Sequence, residues 1–203
     1  MNVHSFNPHS QQFIALVYEG ELDKTVELLK EQPSILIDRN VSEETPLYWL
    51  AIENKPAGVK LLLEHGADPN TKSDYGDAVL YDAARLGNTE VVALLIAVGA
   101  EVDARHSQNA ESALHTAAQS SPDPSVIDQL IDAGADVNAI DHLEWTPLHG
   151  AAMHGNLGTA ERLLSQDANA SQIGGFGETP LEMVNGLERP AWEALVRRFE
   201  RGP

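Results

Sequence analysis

The 203-residue chain sets 13 Lys and Arg against 31 Asp and Glu, a formal charge of −18 with a pI near 4.6. Such a field repels phosphate backbones and anionic headgroups, so nucleic acid and membrane are excluded as partners, whereas a basic protein surface is attracted. The absence of cysteine excludes disulfides, thiol catalysis and Cys-ligated zinc, and 42% apolar residues with only 5% aromatics suit a packed all-α domain rather than a disordered chain.

The opening MNVHSFNPHS has no basic segment followed by an apolar one, and no apolar run reaches the ~20 residues that span a bilayer, so a cytoplasmic protein is expected. From Phe13, FIALVYEGELDKTVELLKEQPSILID has the rhythm of two short helices. Five blocks then recur: TPLYWLA from Thr45, AVLYDAA from Ala78, SALHTAA from Ser112, TPLHGAA from Thr146 and TPLEMVN from Thr179, at intervals of 33, 34, 34 and 33 residues. A second set keeps the same phase: LLLEHGADPN from Leu61, LLIAVGAEVD from Leu94, QLIDAGADVN from Gln129 and RLLSQDANAS from Arg162.

Each first block reads as a helix start. Thr45, Thr146 and Thr179 can cap an N-terminus, and the Pro that follows sits in the first turn, where its missing N–H is not needed. Leu47, Leu80, Leu114, Leu148 and Leu181 fall on the buried side. In the second blocks Val59, Leu62 and Leu63, or Val91, Leu94 and Leu95, form one apolar stripe, and Gly66, Gly99 and Gly134 are placed to end those helices at positive φ. Asp167 stands where the next such glycine belongs, which predicts a strained or reshaped exit. The paired alanines Ala83 and Ala84, Ala117 and Ala118, and Ala151 and Ala152 allow close helix approach. Two longer segments, RHSQNAES from Arg105 and SSPDPS over Ser120–Ser125, are expected to protrude.

A TPLHxAA helix start, a VxxLL second helix and a GADVN exit, repeated in phase, resemble the ankyrin repeat over Val41 to about Phe199. The resemblance implies an all-α solenoid of helix-turn-helix units with short β-hairpin loops. Residues 1–203 are read as one domain, with a leader and N-terminal cap over 1–40, four repeats over 41–173 and a C-terminal cap over 174–203. Neighbouring repeats bury each other's apolar stripes, so stability is shared along the stack.

His115 and His149 occupy the TPLH position, where the resemblance implies a ring bridging backbone groups of adjacent hairpins. Tyr48, Tyr81 and Glu182 replace His there, and no HExxH occurs, so no metal site is expected. GGFGET, from Gly174, lacks the lysine of a phosphate loop and reads as a hairpin tip. Without a G-x-S-x-G elbow or a Ser/His/Asp cluster, neither catalysis nor a cofactor is expected.

The resemblance also implies that hairpin tips and exposed first-helix positions line a concave groove that contacts a partner. Carried over, the partner-binding residues are Glu44, Trp49, Glu53, Asp74, Tyr75, Asp77, Asp82, Glu111, His142, Leu143, Trp145, Met153, His154 and Phe176. Tyr75, Trp145 and Phe176 are candidate aromatic anchors, with Trp145 foremost, and the carboxylates are candidate contacts to Lys or Arg. The chain is thus expected to be a monomeric binding module for a protein with a basic surface, either an inhibitor or immunity protein of a cognate toxin or a regulatory or scaffolding subunit.

Overall fold

A computed structural model describes residues 6–120 and 124–200, so part of the SSPDPS segment lies outside the described residues. The architecture is all-α: α1 (Pro8–Glu19), α2 (Leu22–Glu31), a 3-10 turn (Pro33–Leu36), α3 (Pro46–Ile52), α4 (Pro56–Glu64), α5 (Val79–Arg85), α6 (Thr89–Ala97), α7 (Ala113–Ser120), α8 (Pro124–Asp132), α9 (Pro147–Met153), α10 (Leu157–Leu164), α11 (Pro180–Met183) and α12 (Arg189–Glu200). The chain groups into two compact units, one running to residue 83 and including 88–101, the other comprising 84–87 and the chain from 102 onward.

The first unit starts with α1, where the Asn7 side chain caps the helix by accepting the Ser10 N–H at 2.9 Å. Pro8 and Pro46 occupy opening helical positions, and Thr45 Oγ1 accepts the Tyr48 N–H at 3.2 Å, as the TPL reading requires. Phe13, Ile35, Leu47, Leu50, Val59, Leu62, Val79 and Leu95 form its buried core. Gly58 is required by packing: a Cβ there would lie 2.7 Å from both Leu50 Cδ1 and Val17 Cγ1. Two asparagines join successive repeats, Asn88 Nδ2 donating to the Ala51 carbonyl at 2.8 Å and Asn70 Oδ1 accepting the Glu101 N–H at 2.8 Å.

The second unit repeats these devices. Ala117, Ala118, Ala151 and Ala152 are buried where α7 meets α9, and Gly150 leaves room for Gln119, whose Cγ would stand 2.8 Å from an added Cβ. Asn156 Nδ2 donates to the Ala118 carbonyl at 2.8 Å, and Asn138 Oδ1 accepts the Asn169 N–H at 2.7 Å. On the second helices, Arg162 pairs with Asp128 at 2.5 Å and Arg198 with Glu161 at 2.6 Å. Trp192 of α12 is buried.

Gly66, Gly99 and Gly134 have φ of 93°, 88° and 91°, and Asp167 adopts the same left-handed geometry at 62°. The exit at Asp167 is therefore conserved in shape and carries the strain of a side chain there. The loops depart from ladder-type hairpins: among the described residues the only isolated β-bridge pairs Lys72 with Ala78. Their shape comes instead from turns closed by side chains. The RHSQNAES loop extends to exposed Ser107 and Gln108.

Candidate functional site

Each loop tip contains one residue at positive φ: Glu43 at 55°, Gly76 at 81°, Ala110 at 60°, Glu144 at 58° and Gly177 at 88°. These five positions keep the phase of the helix starts. Short polar side chains fold the loop around them. Asn40 Oδ1 accepts the Ser42 and Glu44 N–H groups at 2.9 and 3.0 Å, and Asp141 Oδ1 accepts those of Leu143 and Trp145 at 2.7 and 2.9 Å. Successive tips are bonded backbone to backbone within each unit: Asp74 N–H to the Ser42 carbonyl (3.2 Å) in the first, and His142 N–H to Asn109 (2.8 Å) and Gly175 N–H to Leu143 (2.7 Å) in the second. The tip side chains thus project from a pre-ordered frame, which limits the entropy lost on binding.

In the first unit Tyr75 is 66% exposed, Asp74 and Glu53 are exposed, and Asp77 and Asp82 are half-buried. Asp82 accepts the Tyr48 hydroxyl, and burial, then that carboxylate, drives the Tyr48 pKa far above its ordinary value, so the phenol stays a donor. Glu53 Oε2 accepts the Tyr18 hydroxyl at 3.2 Å, and Lys55 Nζ stands 4.4 Å above the Tyr18 ring. Two expected contact residues are internal. Trp49 is 5% exposed, packed at 87° against Phe6, and Glu44, also 5% exposed, accepts from Asn40 Nδ2 at 2.7 Å. The resemblance placed them on the surface by carrying over the family's groove positions; the N-terminal cap and the turn asparagine cover them.

In the second unit His142, Leu143, Met153, His154 and Phe176 are exposed, Phe176 at 77%, and Trp145 is half-buried. Glu111 is internal instead, accepting from Gln119 Nε2 at 2.6 Å. The indole N–H of Trp145 donates to Glu178 Oε1, one indole face stacks on His149 (6.5 Å, 5°), and Phe176 meets it edge to face (6.5 Å, 70°). Gly174 admits the indole, since a Cβ there would stand 2.6 Å from Trp145 Cδ1 and 2.8 Å from Glu178 Oε1. Glu178 as the partner that orients Trp145 could not be read from the sequence, because the two residues are brought together only by stacked hairpins.

The histidines of the TPLH position serve the frame. Nδ1 of His115 accepts the Ser112 N–H at 3.2 Å, and Nδ1 of His149 accepts the Thr146 N–H at 3.0 Å, closing the helix start as Glu182 does at Thr179 (2.8 Å). His115 Nε2–H donates across to the Trp145 carbonyl at 3.0 Å, the expected bridge. His149 makes the first contact, and the Glu178 carbonyl lies close to its ring without forming a well-aligned hydrogen bond to Nε2. Burial holds both imidazoles below their usual pKa, so they are neutral, and with Nδ1 already accepting they are poorly placed to take a proton from a substrate. Glu182 is held below its usual pKa by the Thr179 N–H and hydroxyl.

Among the described residues no helix is long and apolar enough to cross a membrane. A family model described as ankyrin repeats (3 copies) matches residues 13–106 and 114–184. Similar proteins include ankyrin repeat and SOCS box protein 16 of Homo sapiens, 36% identical over 75% of this chain and 36% of that protein, and a putative palmitoyltransferase, ZDHHC13, of Danio rerio, 31% identical over 72% of this chain and 23% of that protein. A bacterial relative, protein PhlB of Serratia liquefaciens, is 33% identical over 58% of this chain and 51% of its own length. The chain thus spans between about a quarter and a half of these relatives. Ankyrin repeats are usually non-catalytic and act as protein-interaction modules. With a family model covering most of its length and repeats in register from sequence to structure, the chain belongs to the ankyrin-repeat family.

Proposed function

We propose that this chain is a non-catalytic module that holds a partner protein with a basic surface through its hairpin tips and the exposed ends of its first helices. The observation that carries this reading is the presentation of large apolar side chains, Tyr75 in one unit and Leu143 and Phe176 in the other, on tips whose backbones are mutually bonded. Side chains exposed to this degree bury little apolar surface in the fold, whereas rigid aromatics ringed by charge are effective interface anchors. Asp74 and Glu144 are exposed carboxylates next to Tyr75 and Leu143 in the chain, and Glu53 is exposed at the end of α3; all three are suited to steering a basic surface. The revised contact set is Glu53, Asp74, Tyr75, Asp77, Asp82, His142, Leu143, Trp145, Met153, His154 and Phe176.

Within this role, masking of a cognate toxin is the first reading and support of a partner enzyme the second. They differ in what happens to the bound protein. The transferase activity in the name of one relative concerns a protein of which this chain covers 23%, and is not carried over. The test is parallel affinity capture with the parent, Tyr75→Ala and Phe176→Ala, followed by an activity assay of the captured protein. A partner lost from both variants, with unfolding temperatures unchanged, supports the tips as the contact. Equal capture by all three refutes it.

A further inference from the structure

We infer that the corner between Trp145 and Phe176 is the seat for one cationic side chain, a lysine or arginine, of the partner protein. The inference rests on the reading that the tips of the second unit bind a protein, and it adds the chemistry of the anchor.

The first unit displays the complete arrangement at Tyr18. At Tyr18 a carboxylate, Glu53, accepts the hydrogen bond of the ring's polar tip at 3.2 Å, and a cation, Lys55, lies 4.4 Å above the ring face. At Trp145 the carboxylate is again present, Glu178 accepting the indole N–H. The rings are present too, Phe176, 77% exposed, standing edge to face against the half-buried indole at 70°. Among the described residues no lysine or arginine stands over either ring. No lysine or arginine occurs between Arg105 and Arg162 or between Arg162 and Arg189, while the two hairpins carry Asp141, Glu144 and Glu178. Arg105, which reaches this region, is engaged by the Ala110 and Ile140 carbonyls at 3.0 Å each.

A carboxylate on the indole N–H enriches the π-system, and the exposed Phe176 ring set against it adds a second aromatic surface that attracts a cation at the same corner. His149 stacked on one face of the indole and the Gly174 contact hold Trp145 in place, while the Gly175 N–H bond to Leu143 holds the tip that bears Phe176. The corner is therefore formed before the cation arrives. It lies in an acidic stretch that draws basic segments in, and a neutral apolar side chain would gain nothing from the carboxylates.

The test uses the full chain, 15N-labelled, titrated with a hexa-arginine peptide and with hexa-citrulline, which has the same shape without charge. The expected result is a saturable shift of the Trp145 indole N–H with hexa-arginine and none with hexa-citrulline. Phe176→Leu, which keeps bulk but removes the π face, should weaken hexa-arginine binding by about two- to five-fold, and Phe176→Tyr should retain it. If the peptide perturbs other tips while the Trp145 indole stays still, or if Phe176→Leu binds as the parent does, the cation seat is refuted and the tip-binding reading stands. If no resonance responds at millimolar peptide, both the seat and the reading that the partner is basic fall.

Discussion

Gly174→Ala isolates the placement of Trp145. Gly174 has no positive φ, so alanine is conformationally acceptable and the added methyl acts only through contact. It would stand 2.6 Å from Trp145 Cδ1, 2.8 Å from Nε1 and 2.8 Å from Glu178 Oε1. Carbon atoms settle at about 3.5–4.0 Å, so the indole must withdraw by about 1 Å and its bond to Glu178 breaks or bends. Overpacking of this kind costs about 1–3 kcal/mol, and the half-exposed site favours the lower end because the ring can swing toward solvent. Trp49 and Trp192 are buried, so a red shift of tryptophan emission reports Trp145 becoming wet. Gly177→Ala is the control: φ there is +88° with nothing within 4 Å of the added Cβ, so it strains the backbone without displacing the indole, and emission should hold. Unchanged emission and an unchanged melting temperature for Gly174→Ala would refute the geometry assigned to Trp145.

Ala118→Leu, at a fully buried position between α7 and α9, should cost about 1–3 kcal/mol in urea unfolding. Ala110→Gly relieves a side chain at φ 60° and should stabilise by about 0.5–1 kcal/mol, read as a higher melting temperature. His115→Leu leaves the fully buried Ser112 N–H without its imidazole acceptor and should cost about 1–3 kcal/mol, or roughly 2–4 °C of melting temperature per kcal/mol. Its pH dependence has a definite sign. The folded pKa of His115 lies below the unfolded value of about 6.5, so the unfolded chain binds more protons as pH falls through that value and stability is lost on acidification. The parent should therefore lose more stability than His115→Leu between about pH 7 and 5.5; parallel profiles for the two would refute the burial of a neutral imidazole.

Local chemistry and period were enough to determine the helix pairs, their starts and their stops. Thr and Pro at the helix starts, glycine at the exits and apolar residues at helical spacing each act within a few residues, and repetition at a constant interval makes neighbouring copies stack on one another. The groups TPLH and GADVN therefore spoke for the frame directly. Only tertiary structure decided which tip side chains remain outside. Glu44, Glu111 and Trp49 share repeat positions with half-buried residues such as Asp77, Trp145 and Asp82, but are covered by Asn40, Gln119 and Phe6, which come from turns, helices and a cap that the repeat register does not encode. Likewise the pairing of Trp145 with Glu178, and the space that Gly174 leaves for the indole, arise from two hairpins 33 residues apart meeting edge to edge. Exposure and side-chain partnership depend on what packs across the gap between repeats, a distance in space rather than along the chain.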